Sequence, residues 1–102
     1  MLTKNKKVSA IICSTEFSAL SAIQACNYLS YKIGKDISII TFDGALVRDL
    51  SSPPITAVSF PVKELGKRAI NILLNKSNNK NQTENYLAKT EIIERGSVHT
   101  VS

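Results

Sequence analysis

The chain has 102 residues, of which 43% are hydrophobic and 21% charged, and a formal net charge of +5. That size and balance fit one globular unit and exclude a largely disordered chain. No apolar run approaches the roughly 20 residues that span a bilayer, and no signal-peptide core follows the basic start at Lys4, Lys6 and Lys7, so a cytoplasmic protein with no membrane partner is expected.

Residues 8–13, VSAIIC, form a short, nearly continuous apolar run of the kind found in parallel strands buried on both faces. Ser14 and Thr15 are good helix N-caps, and Glu16 falls where the positive end of a helix favours a carboxylate. Ala19, Leu20, Ala22, Ile23 and Cys26 then recur at helical spacing, which predicts a helix ending near Tyr31, with Gly34 available as a left-handed terminator. A second strand, rich in β-branched residues, is predicted at 37–42 and stops at the Asp43-Gly44 turn signal. Strand, helix and strand within about 35 residues make a βαβ unit with a parallel crossover.

Residues 45–54 read as a loop carrying Arg48, Asp49, Ser51 and Ser52. A third strand is predicted at 55–58. Pro61 suits the first turn of a helix whose apolar positions are Val62, Leu65, Gly66, Ala69, Ile72 and Leu73. Residues 75–84 are polar and read as a surface loop, 86–93 as a last strand, and 98–102 as a loose tail. The fold class is therefore α/β, a parallel sheet flanked by helices.

Ligands of open α/β sheets bind beyond the carboxyl ends of the parallel strands. Two such ends are legible here, Ser14-Thr15-Glu16 and Phe42-Asp43. An aspartate at that edge can take two hydrogen bonds from neighbouring hydroxyls or from an amine, and Thr15 can donate or accept. Each residue also has a purely structural role available, Asp43 as a turn residue and Thr15 as a cap. Catalysis is not expected. His99 is the only histidine; it lies in the tail, and no phosphate-binding glycine loop is present. Cys13 and Cys26 form no CxxC pair and cannot complete a zinc set, so reduced thiols, no metal and no cofactor are expected. The lysines and arginines, among them Lys63, Lys67, Arg68, Lys76 and Lys80, are scattered rather than gathered into a nucleic-acid surface.

Four blocks in order carry a resemblance. VSAIICSTEFSALSAIQA at 8–25 resembles a strand, an Asn-Asp pair and an Ala-Leu-Gly helix. GKDISIITFD at 34–43 is similar to Pro-x-Asp-Ile-Ser-x-x-Gly-Phe-Asp. PITAVSFPVKELGKRA at 54–69 is similar to Leu-Thr-Thr-Val-x-x-Pro-x-x-x-Leu-Gly-x-x-Ala, and EIIERGS at 91–97 to a closing strand with Arg-x-Ser/Thr. These are the blocks of LacI/GalR-type transcriptional regulators, and the chain resembles the C-terminal part of their effector (sugar)-binding domain.

The resemblance implies a periplasmic-binding-protein-like (type I) two-lobe fold and an effector-sensing role toward a sugar or similar polar metabolite. Residues 1–102 would be a C-terminal fragment, with 8–58 and 86–98 in the second lobe and 61–80 returning to the first. Operator DNA would be met only through a helix-turn-helix absent from this chain, and the partner would be a second copy in a homodimer. Asp43 matches the aspartate that commonly contacts effector hydroxyls. Thr15 stands where the family usually has Asn, Glu16 where it has Asp, and Val62 near an apolar ligand-facing position. Leu20 lies on the helix used for dimer contacts. Ser21 and Thr41 stand where glycine is usual, Gly34 where proline is, and Gly44 where Asp is frequent. A periplasmic-type sugar-binding transport protein of the same fold is the alternative.

Overall fold

The computed structural model describes residues 8–43, 50–78 and 85–100, with the side chains of 76–78 left aside. The elements run β1 (Ala10–Cys13), α1 (Glu16–Tyr28), β2 (Ser38–Phe42), β3 (Thr56–Ser59), α2 (Val62–Asn78) and β4 (Glu91–Ile93). The fold is α/β, with one four-stranded sheet in the order β1-β2-β3-β4. β1 pairs with β2 in parallel, Ile11 beside Ile39 and Cys13 beside Thr41, and β2 pairs with β3 in parallel, Thr41 beside Ala57 and Phe42 beside Val58. The βαβ unit expected at the start of the chain is thus present. The basic start, Gly44, Arg48, Asp49, Lys80 and residues 79–84 lie outside the described residues.

The chain forms two units, 1–59 with 92–102, and 60–91. In the first, α1 covers one face of the sheet. Cys13, Ile39 and Ile55 point into a core shared with Ala19, Ile23 and Cys26 of α1 and with Ile33 and Ile37. Ile37, Ile39 and Ile55 are fully buried, each contributing on the order of 1.5–3 kcal/mol. The opposite face carries Ile12, Ile40, Phe42 and Val58, and Ile12 is 71% exposed. The expectation that β1 is buried on both faces is therefore corrected: it is an edge strand with one helix-covered side.

The helix ends earlier than its periodicity suggests. Leu29 is the C-cap of α1, and Ser30, at φ 64, supplies the left-handed residue that had been expected of Gly34. The Tyr31 N–H then closes the end by donating to the Cys26 carbonyl at 2.8 Å. Gly34 has another task. At φ 84 it turns the chain before β2, donating its N–H to the Ile37 carbonyl at 2.7 Å.

Of the tail read as loose, residues 98–100 are described, and His99 is anchored together with the preceding Ser97. Ser97 is fully buried. Its hydroxyl accepts the Thr56 N–H at 2.8 Å and donates to the Ile39 carbonyl at 2.5 Å, while its own carbonyl accepts the Ile39 N–H at 3.0 Å. His99 donates its backbone N–H to the Ser38 hydroxyl at 3.1 Å, and its Nδ1 lies 2.9 Å from the same oxygen. Residues 95–99 thus cross the amino ends of β2 and β3 and supply ladder bonds there.

In the second unit, α2 runs through Asn78, four residues into the stretch read as a loop, because Ile72, Leu73 and Leu74 extend a pattern that the polar residues do not interrupt. Val62, Ile70, Leu73 and Leu74 are all at least 59% exposed. Tyr86 is held against this helix: its hydroxyl donates to Glu64 at 2.9 Å, and the Arg68 guanidinium lies 4.5 Å over its ring. The hydrogen bond to Glu64 is the main cause that raises the phenol above its ordinary pKa. Only Glu91–Ile93 of the predicted last strand is regular; residues 85–90 form neither strand nor helix.

Candidate functional site

The site is built where β1 and β2 end. Parallel pairing with Cys13 beside Thr41 carries the two strands to a common rim. Two residues past that pair are Thr15, following β1, and Asp43, following β2. An antiparallel arrangement would have sent them to opposite ends of the sheet. The rim that sequence reasoning placed around these two residues is present.

Thr15 is the N-cap of α1, extended at φ −135 and ψ 162. Its Oγ1 accepts the Ser18 N–H at 3.1 Å and lies 3.0 Å from the Ser18 hydroxyl. Its carbonyl accepts the Ala19 N–H at 3.1 Å, the first bond of the helix. The cap role is thus fulfilled, and the exposed hydroxyl keeps part of its bonding capacity. Glu16, half-buried, occupies the first position of α1, where its carboxylate complements the positive end of the helix.

Asp43 is exposed and left-handed at φ 58, a conformation that aspartate tolerates better than most residues. Its N–H donates to the Val58 carbonyl at 2.8 Å, extending the β2–β3 ladder by one step. The backbone is fixed by this bond. Its neighbour in register on β3 is Ser59, whose hydroxyl is a rim group that strand-end reasoning passed over because the third strand was expected to end one residue earlier.

Thr41 was also missed as a contributor. It is fully buried between Cys13 and Ala57, and its Oγ1 donates to the Thr15 carbonyl and the Phe42 carbonyl, both at 3.2 Å. A threonine within a β-branched strand reads as strand propensity, so only its place before Phe-Asp could have drawn notice. Phe17, in the first turn of α1, is 77% exposed.

The other predicted residues fall elsewhere. Leu20 is half-buried and packs against the core of the first unit. Val62 opens α2 in the second unit, where it lines a shallow, open depression with Pro61, Lys63, Glu64 and Lys67. Among the described residues no three His, Cys, Asp or Glu side chains gather as metal ligands, and no helix is long and apolar enough to cross a membrane. Cys13 and Cys26 are buried and free; burial raises both thiols, and the nearby Cys26 raises Cys13 further.

The family model described as a periplasmic binding protein-like domain matches residues 2–98. The chain belongs to the periplasmic binding protein-like domain family. Curated relatives include transcriptional regulators. The HTH-type transcriptional regulator RegA of Clostridium saccharobutylicum is 33% identical over 91% of this chain and 28% of its own length. The HTH-type transcriptional repressor PurR of Aliivibrio salmonicida is 32% identical over 97% of this chain and 30% of its own. Among solved structures, a LacI family transcriptional regulator from Enterococcus faecalis with bound ribose superposes with a TM-score of 0.86 at 25% identity, over 94% of this chain and 36% of that one. The chain therefore spans about 30% of the length of the curated relatives it matches. Over that span it is the periplasmic binding protein-like domain of the LacI/GalR type, as the four sequence blocks indicated.

Proposed function

We propose that this chain is the effector-sensing portion of a LacI/GalR-type DNA-binding transcriptional regulator and that it binds a sugar or similar polar metabolite at the rim of Thr15, Glu16 and Asp43. The observation that carries this reading is the parallel β1–β2 register, which delivers the Thr15 cap and the Asp43 carboxylate to one edge of the sheet. Asp43 accepts hydrogen bonds from adjacent hydroxyls of the effector, and Thr15 and Glu16 flank it. The regulator is a two-lobed cytoplasmic protein in which residues 8–58 and 86–98 belong to the second lobe and 61–80 return to the first.

Effector binding shifts an equilibrium between two conformations that differ in operator affinity. Operator DNA is met by a helix-turn-helix outside these residues, and α1, with Leu20 and the exposed Phe17, forms part of a homodimer contact. The transcriptional regulators among its relatives support this over a transport role. We assign no enzymatic activity. Among the described residues a serine–histidine pair, Ser38 with His99, lies at the amino end of β2, away from the rim, and Ser38 is buried and already accepts the His99 N–H.

The test is operator affinity of the regulator that carries this segment, measured while sugars and phosphosugars are titrated. At least one is expected to change the affinity, and Asp43→Asn, which keeps the left-handed backbone and removes the charge, is expected to weaken that response by about tenfold or more. No change with any of them rejects the proposal.

A further inference from the structure

The rim depends on a contact that comes from below it. Thr15 and Asp43 follow the ends of different strands, and each is fixed by its carbonyl or its N–H. Asp43 is fixed to β3 through its N–H on the Val58 carbonyl. Thr15 is fixed within α1 through the Ala19 N–H on its carbonyl. Beyond the β1–β2 ladder, a side chain also ties the Thr15 turn to β2: the Thr41 Oγ1 donates to that same Thr15 carbonyl at 3.2 Å from a fully buried position. Thr41 is two residues before Asp43 on the same strand. A short path from one rim residue to the other thus runs through the Thr15 carbonyl, the Thr41 hydroxyl and two residues of backbone.

We infer that Thr41 is a positioning residue for the effector site: its hydroxyl sets the spacing between Thr15 and Asp43. The inference rests on the effector-site reading above for its consequence, but not for its geometry. The resemblance places glycine at this point of the strand, and glycine has no side chain with which to make the tie. In this chain the β1–α1 turn is anchored to β2 by a bond that such a residue cannot form. The shared proton also reaches the Phe42 carbonyl at 3.2 Å, so the hydroxyl is held between two acceptors and cannot turn toward bulk water.

Two variants separate the hydroxyl from the volume. Thr41→Val keeps the shape and β-branching and removes the donor; Thr41→Ser keeps the donor. In the 102-residue chain, 15N relaxation is expected to show added motion at the amides of Ser14, Thr15 and Glu16 in Thr41→Val, with Ile39 and Ile23 unchanged, and parent-like values in Thr41→Ser. A uniform change over the whole core, or no change at the turn, overturns the inference. In the intact regulator, with D-ribose as the probe, Thr41→Val is expected to raise the ribose concentration for half-maximal response about five- to tenfold and Thr41→Ser to restore it. An unchanged midpoint in Thr41→Val also overturns it. If ribose and the other sugars never move operator affinity with Thr41 intact, the effector reading fails, while the relaxation result still decides the role of Thr41.

Discussion

Gly34 shows how one backbone angle constrains what a residue can be. Its φ of 84 lies where side chains are strained, and a Cβ built there would collide with the Gly96 carbonyl. Its N–H is also spent on the Ile37 carbonyl. Proline, the residue that the LacI/GalR pattern favours here, fails on each count: its ring fixes φ near −65 and it has no N–H to give. Gly34→Pro is therefore expected to destabilise the chain by about 3 kcal/mol or more, read as a lowered urea midpoint. A midpoint equal to the parent's would mean that the turn before β2 is easily rebuilt.

At the scale of elements, Ser97 acts in place of a strand. β3 begins at Thr56, and below that level, among the described residues, the terminal segment partners β2 on this side. Ser97 fills the gap with its hydroxyl and its carbonyl, bonding Ile39 through both the N–H and the C=O and Thr56 through the N–H. Ser97→Ala leaves the buried Thr56 N–H and Ile39 carbonyl without these partners, at a cost of about 2–4 kcal/mol. Urea denaturation checks this, and protection of the Thr56 amide against hydrogen exchange should fall more than that of Ile23. The elements with strong periodic or β-branched signals, β1, α1, β2 and the start of α2, were legible from sequence to within a few residues. So was the shared rim, because it follows from parallel connection alone. Ser30 ends α1 in place of Gly34 by its own backbone angle, and what otherwise escaped were features set by single side chains acting at a distance: Ser97 and His99 sewing a polar tail to β2, and Thr41 gripping the Thr15 turn. Local composition carries no record of partners that lie 26 to 61 positions away.

Across the whole molecule, the core of the first unit holds two thiols on the helix-covered face of the sheet. Burial is the main cause that raises both above the ordinary value of 9.0. For an acid raised in the folded state, the stabilising contribution is complete below the unfolded pKa and is lost as pH rises through the folded one. Stability should hold from about pH 7 to 8.5 and then fall, and a Cys13→Ala, Cys26→Ala double variant should start less stable but fall less steeply. Urea titrations at stepped pH measure this; equal slopes for parent and double variant would refute it. The opposite face of the same sheet has a different consequence. Ile12 is exposed and its neighbours Ile40, Phe42 and Val58 are partly so, an apolar strip on the face that α1 does not cover. A reporter dye such as anilinonaphthalene sulfonate has a place to settle on the native chain, so its fluorescence will be bright before any unfolding and should dim, not brighten, as urea dissolves the sheet.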